Sequence, residues 1–327
     1  MKTLVTGATG FIGRHLVSAL VHEGREVRCL VREKSKTENL QKLGVELVCA
    51  DFLDKASLLP ALQGVSIVYH LAAEVYSSKV ADYFKYNVEG TRNLIESCNG
   101  NSIERFIYCS SIAAAGPSQD SKTLLTEKDF CNPITPYGIS KYEAEKVVLG
   151  YSSKNKVPAV IIRPPPIYGP GQSKIITDFF LQVKKGKFYI MGTGEYLRSL
   201  CYIDNLIEGI LLTEKNPAAI GEIFYLSDKK VYTFKEIVQT LADVQDINLT
   251  LIKLPPFVAH SAMFLFNILH KFVNINILKL YTIGSMAKNL GCSIMKAEKV
   301  LSYGPSINLE EGVRKTIKCL HSTQELP

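Results

Sequence analysis

Thr3-Leu4-Val5-Thr6-Gly7-Ala8-Thr9-Gly10-Phe11-Ile12-Gly13 begins as a short apolar strand, passes through a glycine-rich turn and ends in a helical pattern. Each glycine meets a separate steric demand. Gly7 permits a tight turn, Gly10 lets backbone approach a pyrophosphate, and Gly13 lets helix pack closely on strand. The first helical turn, at Phe11 and Ile12, offers unpaired N–H groups and the positive end of the helix dipole. Glycine turns between strand and helix also occur for purely structural reasons. Here the strand before and the helix after supply the context of a dinucleotide site. Gly7, Gly10, Phe11, Ile12 and Gly13 are therefore expected to hold a cofactor.

Outward from that turn, short apolar runs alternate with longer amphipathic ones. Strands are expected at 3–6, 26–31, 45–50, 67–71, 106–110 and 159–163, and helices at 11–23, 57–62, 83–98 and 137–149. Val-, Ile- and Leu-rich strands alternating with helices predict an α/β fold: a doubly wound parallel sheet covered on both faces. After Tyr168-Gly169-Pro170-Gly171 the rhythm changes. A helix is expected at 174–185, with 200–204 and 223–226 as returns to the first sheet and a mostly helical remainder. Residues 1–170 thus form a nucleotide-binding domain, to which 199–227 return. Residues 171–327 form mainly a smaller substrate lobe.

The bulk numbers agree with a folded enzyme-sized chain. Its 327 residues are 46% apolar and 21% charged, and 38 Lys and Arg against 31 Asp and Glu give a formal charge of +7. No Lys/Arg cluster forms a nucleic-acid footprint. The mild excess suits a phosphate-bearing cofactor or an anionic membrane surface. Eight scattered cysteines without a CxxC pair argue for reduced thiols and a cytoplasmic setting, peripheral membrane contact being left open. Six histidines without HxxxH or HExxH spacing give no support for a metal site. Met1 and Lys2 lead directly into the first strand, with no signal peptide expected. A homodimer is left open.

Several further positions fit a cofactor crevice. The second strand ends Cys29-Leu30-Val31-Arg32, and an acidic residue near such a point usually holds the ribose 2′-hydroxyl of NAD. Arg32 stands there instead, and a guanidinium suits a 2′-phosphate, so NADP is expected, NAD being the alternative. Asp51 and Phe52 follow the third strand, where a carboxylate can accept from an adenine amino group. Leu71, Ala72 and Ala73 follow the fourth, where small residues let backbone pass close to a dinucleotide. Asn87 reads as a buried residue satisfying backbone groups.

Tyr137 and Lys141 are four apart at the start of a helix, which places both on one face. An ammonium beside a phenol favours the phenolate, so Lys141 is expected to lower the pKa of Tyr137 and let it exchange a proton with substrate. Lys141 is also long enough to reach the nicotinamide ribose. Ser111, where the fifth strand ends, can orient the reacting oxygen, with Ser110 as the alternative.

Together these motifs make the chain resemble the extended short-chain dehydrogenase/reductases, the NAD-dependent epimerase/dehydratase superfamily. The glycine turn, Ser111, Tyr137-x-x-x-Lys141 and Arg163-Pro164-Pro165-Pro166-Ile167-Tyr168-Gly169-Pro170-Gly171 occur in that family's order and spacing. The likeness extends to 301–305 and 309–312. It implies a catalytic set of Ser111, Tyr137 and Lys141, and adds Tyr137, Lys141, Pro164 and Ile167 to the cofactor-binding residues.

Departures from the family's branches narrow the reading. Dehydratases carry an Asp-Glu pair where this chain has Ile112 and Ala113. Many nucleotide-sugar epimerases have Asn where this chain has Pro166, which lacks a side-chain donor. The run 110–117 is closest to the 3β-hydroxysteroid dehydrogenase and dihydroflavonol reductase-like branch. The resemblance therefore implies hydride transfer between NAD(P) and a secondary alcohol or ketone of a bulky, apolar steroid-, sterol- or flavonol-like substrate. Arg198 matches a position where sugar-nucleotide enzymes grip a diphosphate, which keeps an epimerase as the alternative; a non-catalytic NADP(H) sensor is the second. The apolar stretch 257–269 is too short to span a bilayer, which takes about 20 residues, and reads as core or substrate-pocket helix.

Overall fold

The alternation of side chains along each strand sorts the core into two layers. The computed structural model, which describes residues 2–118, 123–154, 156–273 and 283–322, contains seven strands in one all-parallel sheet. They are β1 (Lys2–Thr6), β2 (Glu26–Val31), β3 (Glu46–Cys49), β4 (Val65–His70), β5 (Arg105–Cys109), β6 (Ala159–Arg163) and the edge strand Ile223–Tyr225. Across the sheet they run β3, β2, β1, β4, β5, β6 and Ile223–Tyr225. Val5, Ile107 and Ile162 face one way, onto Leu16, Val17 and Leu20 of the helix α1 (Phe11–His22) and onto the helix Ile203–Lys215. Leu4, Val68, Phe106, Tyr108 and Ile161 face the other way, toward the helices Lys55–Leu62, Gly90–Cys98 and Pro136–Ser152. Burial on both faces explains why these strands are apolar nearly throughout.

The order of strands reverses between β1 and β4, which are paired so that Thr6 lies beside His70. In open parallel sheets the crevice outside the carboxyl ends at such a reversal is where ligands bind. The fold thus delivers the glycine turn after β1, the loop after β4 and the turn after β5 to one edge.

Two expectations change in detail. The edge strand Ile223–Tyr225 joins β6, but Cys201–Tyr202 pairs instead with Ile167–Tyr168 in a separate two-residue ladder. Pro164, Pro165 and Pro166 lack the N–H groups that would extend β6, so the chain leaves the sheet there. The helix expected over 83–98 is interrupted by a π-helical stretch, Phe84–Glu89, between Val80–Tyr83 and Gly90–Cys98. In the lobe, Lys187–Met191 pairs with Thr250–Leu254, beside the helices Lys174–Lys184, Phe234–Val244 and Pro256–Val273. Among the described residues no helix is long and apolar enough to cross a membrane.

Candidate active site

Gly7 has φ +69°, and a Cβ there would lie 2.7 Å from the Ala72 nitrogen and 2.9 Å from the Leu71 carbonyl carbon. At Gly13 a Cβ would meet the Gly7 carbonyl oxygen at 2.1 Å. The turn therefore packs backbone against backbone on both sides, as the spacing predicts. Gly10 caps α1 and no side chain does, which leaves this helix end suited to an anion. A dinucleotide's diphosphate fits a cradle of this kind, against which the backbone of Leu71 and Ala72 packs, Ala73 following.

The flanking cofactor candidates fall around the same edge. Arg32 follows β2 and is exposed, its backbone N–H bonded to the Ser35 hydroxyl at 3.0 Å, and its guanidinium has no ion-pair partner among the described residues. Asp51 is exposed and accepts the Leu53 N–H at 3.0 Å, so one carboxylate oxygen is turned into its own loop. Phe52 packs toward Gly90 and His70. Pro164 is buried, and its carbonyl accepts the Ile112 N–H at 2.9 Å; Ile167 is half-buried in the short ladder beyond the proline run.

Ser111 and Tyr137 come together because two turns are pressed into contact. The Ser111 hydroxyl caps the short helix Ile112–Ala115, accepting the Ala113 N–H at 3.2 Å. Thr135 caps the helix Pro136–Ser152 by accepting the Gly138 N–H at 2.9 Å, with Pro136 in the first turn. Gly138 is the point of contact, for a Cβ there would sit 2.3 Å from the Ala113 carbonyl oxygen. This arrangement brings Ser111 near the Tyr137 phenol. Ser110 is set apart from that role: its hydroxyl donates to buried Glu145, which pairs with Arg163 at 2.6 and 2.9 Å.

Lys141 shares the helix face with Tyr137 but does not lower its pKa as expected. Its ammonium donates to the Cys109 carbonyl at 2.6 Å and lies 4.3 Å from the centre of the Tyr108 ring. Burial holds the Tyr137 phenol well above its ordinary value, with nearby Ser111 acting in the opposite direction. Burial also brings Lys141 down to about 8, while Cys109 and Glu145 act in the opposite direction. Desolvation thus sets the direction at both groups.

The loop after β4 closes the site on a third side. Asn87 accepts the Glu74 N–H at 2.7 Å and donates to the Glu74 carbonyl at 3.0 Å and to the Ser140 hydroxyl at 2.9 Å. It is the buried, backbone-satisfying asparagine that was expected, and the π-helical stretch turns it toward the helix Pro136–Ser152. Tyr83, whose ring meets that of Tyr137 edge-on at 6.2 Å, accepts the Ser77 N–H at 3.0 Å. Val75 and Tyr76, both exposed, lie on the loop that Tyr83 braces, with Tyr76 near Tyr137.

Arg198 is neither a surface residue nor turned to open space. It is buried, and its guanidinium donates to the carbonyls of Leu197 at 3.1 Å and of Ser285 and Lys288. Lys174 is exposed and pairs with Asp178 at 3.0 Å. All eight cysteines are free thiols.

Sequence reasoning passed over His70, Gly138 and Glu145. A lone histidine ending an otherwise apolar strand, directly before Leu71-Ala72-Ala73, was the available signal for the first. Gly138 and Glu145 lie within and one turn beyond Tyr137-x-x-x-Lys141, where the spacing of that motif drew the reading away from its neighbours.

The chain is 28% identical to a 4-hydroxy-2-methyl-3-oxo-4-farnesyl-3,4-dihydroquinoline-1-oxide ketoreductase of Stigmatella aurantiaca, over 80% of this chain and 78% of that one. It is 25% identical to a decarboxylating sterol-4-alpha-carboxylate 3-dehydrogenase of Mus musculus, over 98% and 91% of the two chains. The crystal structure of UDP-glucuronic acid 4-epimerase from Bacillus cereus in complex with NAD superposes with a TM-score of 0.78 at 25% identity, covering 99% of both chains. Residues 3–226, from β1 to the edge strand of the sheet, match the profile of the NAD dependent epimerase/dehydratase family, and the chain belongs to that family as an enzyme of the extended short-chain dehydrogenase/reductase type.

Proposed function

We propose that this enzyme transfers hydride reversibly between a nicotinamide and the carbon bearing a secondary hydroxyl or ketone in a bulky, apolar substrate. The observation that carries the reading is the close packing of the turn bearing Ser111 on the turn bearing Tyr137, where Gly138 meets the Ala113 carbonyl. A nicotinamide bound along the glycine turn supplies or accepts the hydride. In the reducing direction, Tyr137 gives its phenolic proton to the ketone oxygen while Ser111 donates a hydrogen bond to the same oxygen. Lys141 would hold the nicotinamide ribose. In the oxidising direction Tyr137 takes the proton back.

The named substrates of the Stigmatella and mouse relatives, a farnesylated quinoline and a sterol, support the apolar class. NADP is the proposed cofactor, because Arg32 rather than a carboxylate directly follows β2 and its guanidinium is exposed to a 2′-phosphate.

An epimerase acting on a nucleotide sugar is the second reading, favoured by the end-to-end likeness to the Bacillus enzyme and by the position of Arg198. Against it, Arg198 is engaged with three carbonyls, and Pro166 offers no side-chain donor. The deciding experiment is a panel of sterol, flavonol and UDP-sugar substrates, followed by nicotinamide absorbance and by calorimetry with UDP. Cofactor-dependent turnover of an apolar alcohol or ketone, with no heat from UDP at millimolar concentration, is the expected result. Tight UDP-sugar binding that disappears in Arg198→Ala would establish the epimerase instead, and cofactor binding with no turnover of any substrate would favour the sensor.

A further inference from the structure

His70 ends β4 at the strand-order reversal and is buried between two threonines. Its Nδ1 lies 2.8 Å from the Thr6 hydroxyl and its Nε2 lies 2.9 Å from the Thr91 hydroxyl. Thr6 also accepts the Ala72 N–H at 3.2 Å and, through its carbonyl, the Leu71 N–H at 3.3 Å. These are the two residues whose backbone touches Gly7.

The hydrogen-bond inventory selects one form of the ring. The Thr6 oxygen already accepts from Ala72, so the arrangement that uses its own proton sends that proton to Nδ1. The imidazole is then neutral, with its proton on Nε2 and donated to Thr91. Burial, reinforced by nearby Lys141, agrees by bringing His70 down to about 3.

We propose that His70 is a positioning residue for the dinucleotide, its Nδ1 fixing the Thr6 hydroxyl so that Thr6 clips the Leu71–Ala72 backbone against the glycine turn. The contact with Thr91 holds the ring but does not set the cradle. This rests on the glycine turn being the cofactor site.

The two contacts can be tested separately by isothermal calorimetry of NADPH and NADH binding to the full chain. The amide of His70→Asn reaches the position of Nδ1, whereas that of His70→Gln reaches the position of Nε2. His70→Asn is expected to bind within about threefold of wild type, while His70→Gln and Thr6→Val bind at least tenfold more weakly. Thr6→Val keeps the side-chain shape and reports on the clip independently should a His70 variant fail to fold. Melting temperatures separate this from simple core damage, because His70→Asn and His70→Gln lose comparable stability and differ only in affinity. Wild-type affinity in both His70→Gln and Thr6→Val, or losses that merely follow melting temperature, would overturn the inference. Failure of the wild-type chain to bind either dinucleotide would overturn the cofactor reading itself, and the inference with it.

Discussion

The ammonium of Lys141 is held 2.6 Å from the carbonyl oxygen of Cys109, joining the helix Pro136–Ser152 to the last residue of β5 by a buried, charged hydrogen bond. That charge is costly. A lysine moved from 10.5 to about 8 disfavours the folded state at neutral pH by an amount on the order of 3 kcal/mol.

Lys141→Met should therefore stabilise the fold while abolishing turnover. Between pH 8 and 10.5 the unfolded chain binds more protons at this site than the native one, so the wild type's deficit relative to Lys141→Met should shrink as pH rises. Urea denaturation of both proteins at pH 7 and pH 10 measures the change, and a constant difference would show that Lys141 is not strained by burial.

Tyr137→Phe keeps the ring and removes the transferable proton. Turnover should fall roughly 10²–10⁴-fold with cofactor affinity retained. Because burial raises the Tyr137 phenol, the acid form dominates at neutral pH. Ketone reduction should be flat between pH 6 and 8, and alcohol oxidation should climb over the same range. An oxidation rate already level at pH 7 would contradict this.

Ser110 and Ser111 should separate cleanly. Ser111→Ala is expected to lose most of its turnover and only about 1 kcal/mol of stability, from the helix cap it removes. Ser110→Ala should cost roughly 1–3 kcal/mol of stability, because it leaves the buried Glu145–Arg163 pair short of a donor. Its turnover should remain within a few-fold of wild type. Urea melts and steady-state rates on the two variants decide the matter.

If Arg32 reads a 2′-phosphate, Arg32→Ala should weaken NADPH by roughly 2–3 kcal/mol and leave NADH nearly unchanged. Equal effects on both cofactors, measured by fluorescence titration, would make Arg32 a surface residue only.

The parallel sheet was legible because strands buried on both faces are written as apolar runs, and the glycine turn because three steric demands fall at fixed spacing. Ser111, Tyr137 and Lys141 were expected as a set, and the structure packs the turns bearing Ser111 and Tyr137 against each other at Ala113 and Gly138. The direction of Lys141's influence was not legible, since spacing along a helix does not reveal that a carbonyl of β5 competes for the ammonium. Nor was the role of Arg198, whose partners Ser285 and Lys288 lie almost ninety residues away. His70 escaped notice because its meaning depends on Thr6, sixty-four residues earlier, being its neighbour in the sheet.

The absence of a Cβ at Gly138 has a mechanical consequence. With the helix resting on the Ala113 carbonyl there is no slack between the turn bearing Ser111 and the turn bearing Tyr137, so neither can serve as a hinge. On the proposed reading, substrate would enter and leave past the loop bearing Val75 and Tyr76 rather than by parting these two turns. Proton transfer is then insulated from gating. Raising solvent viscosity should slow product escape while leaving the solvent isotope effect on the chemical step untouched.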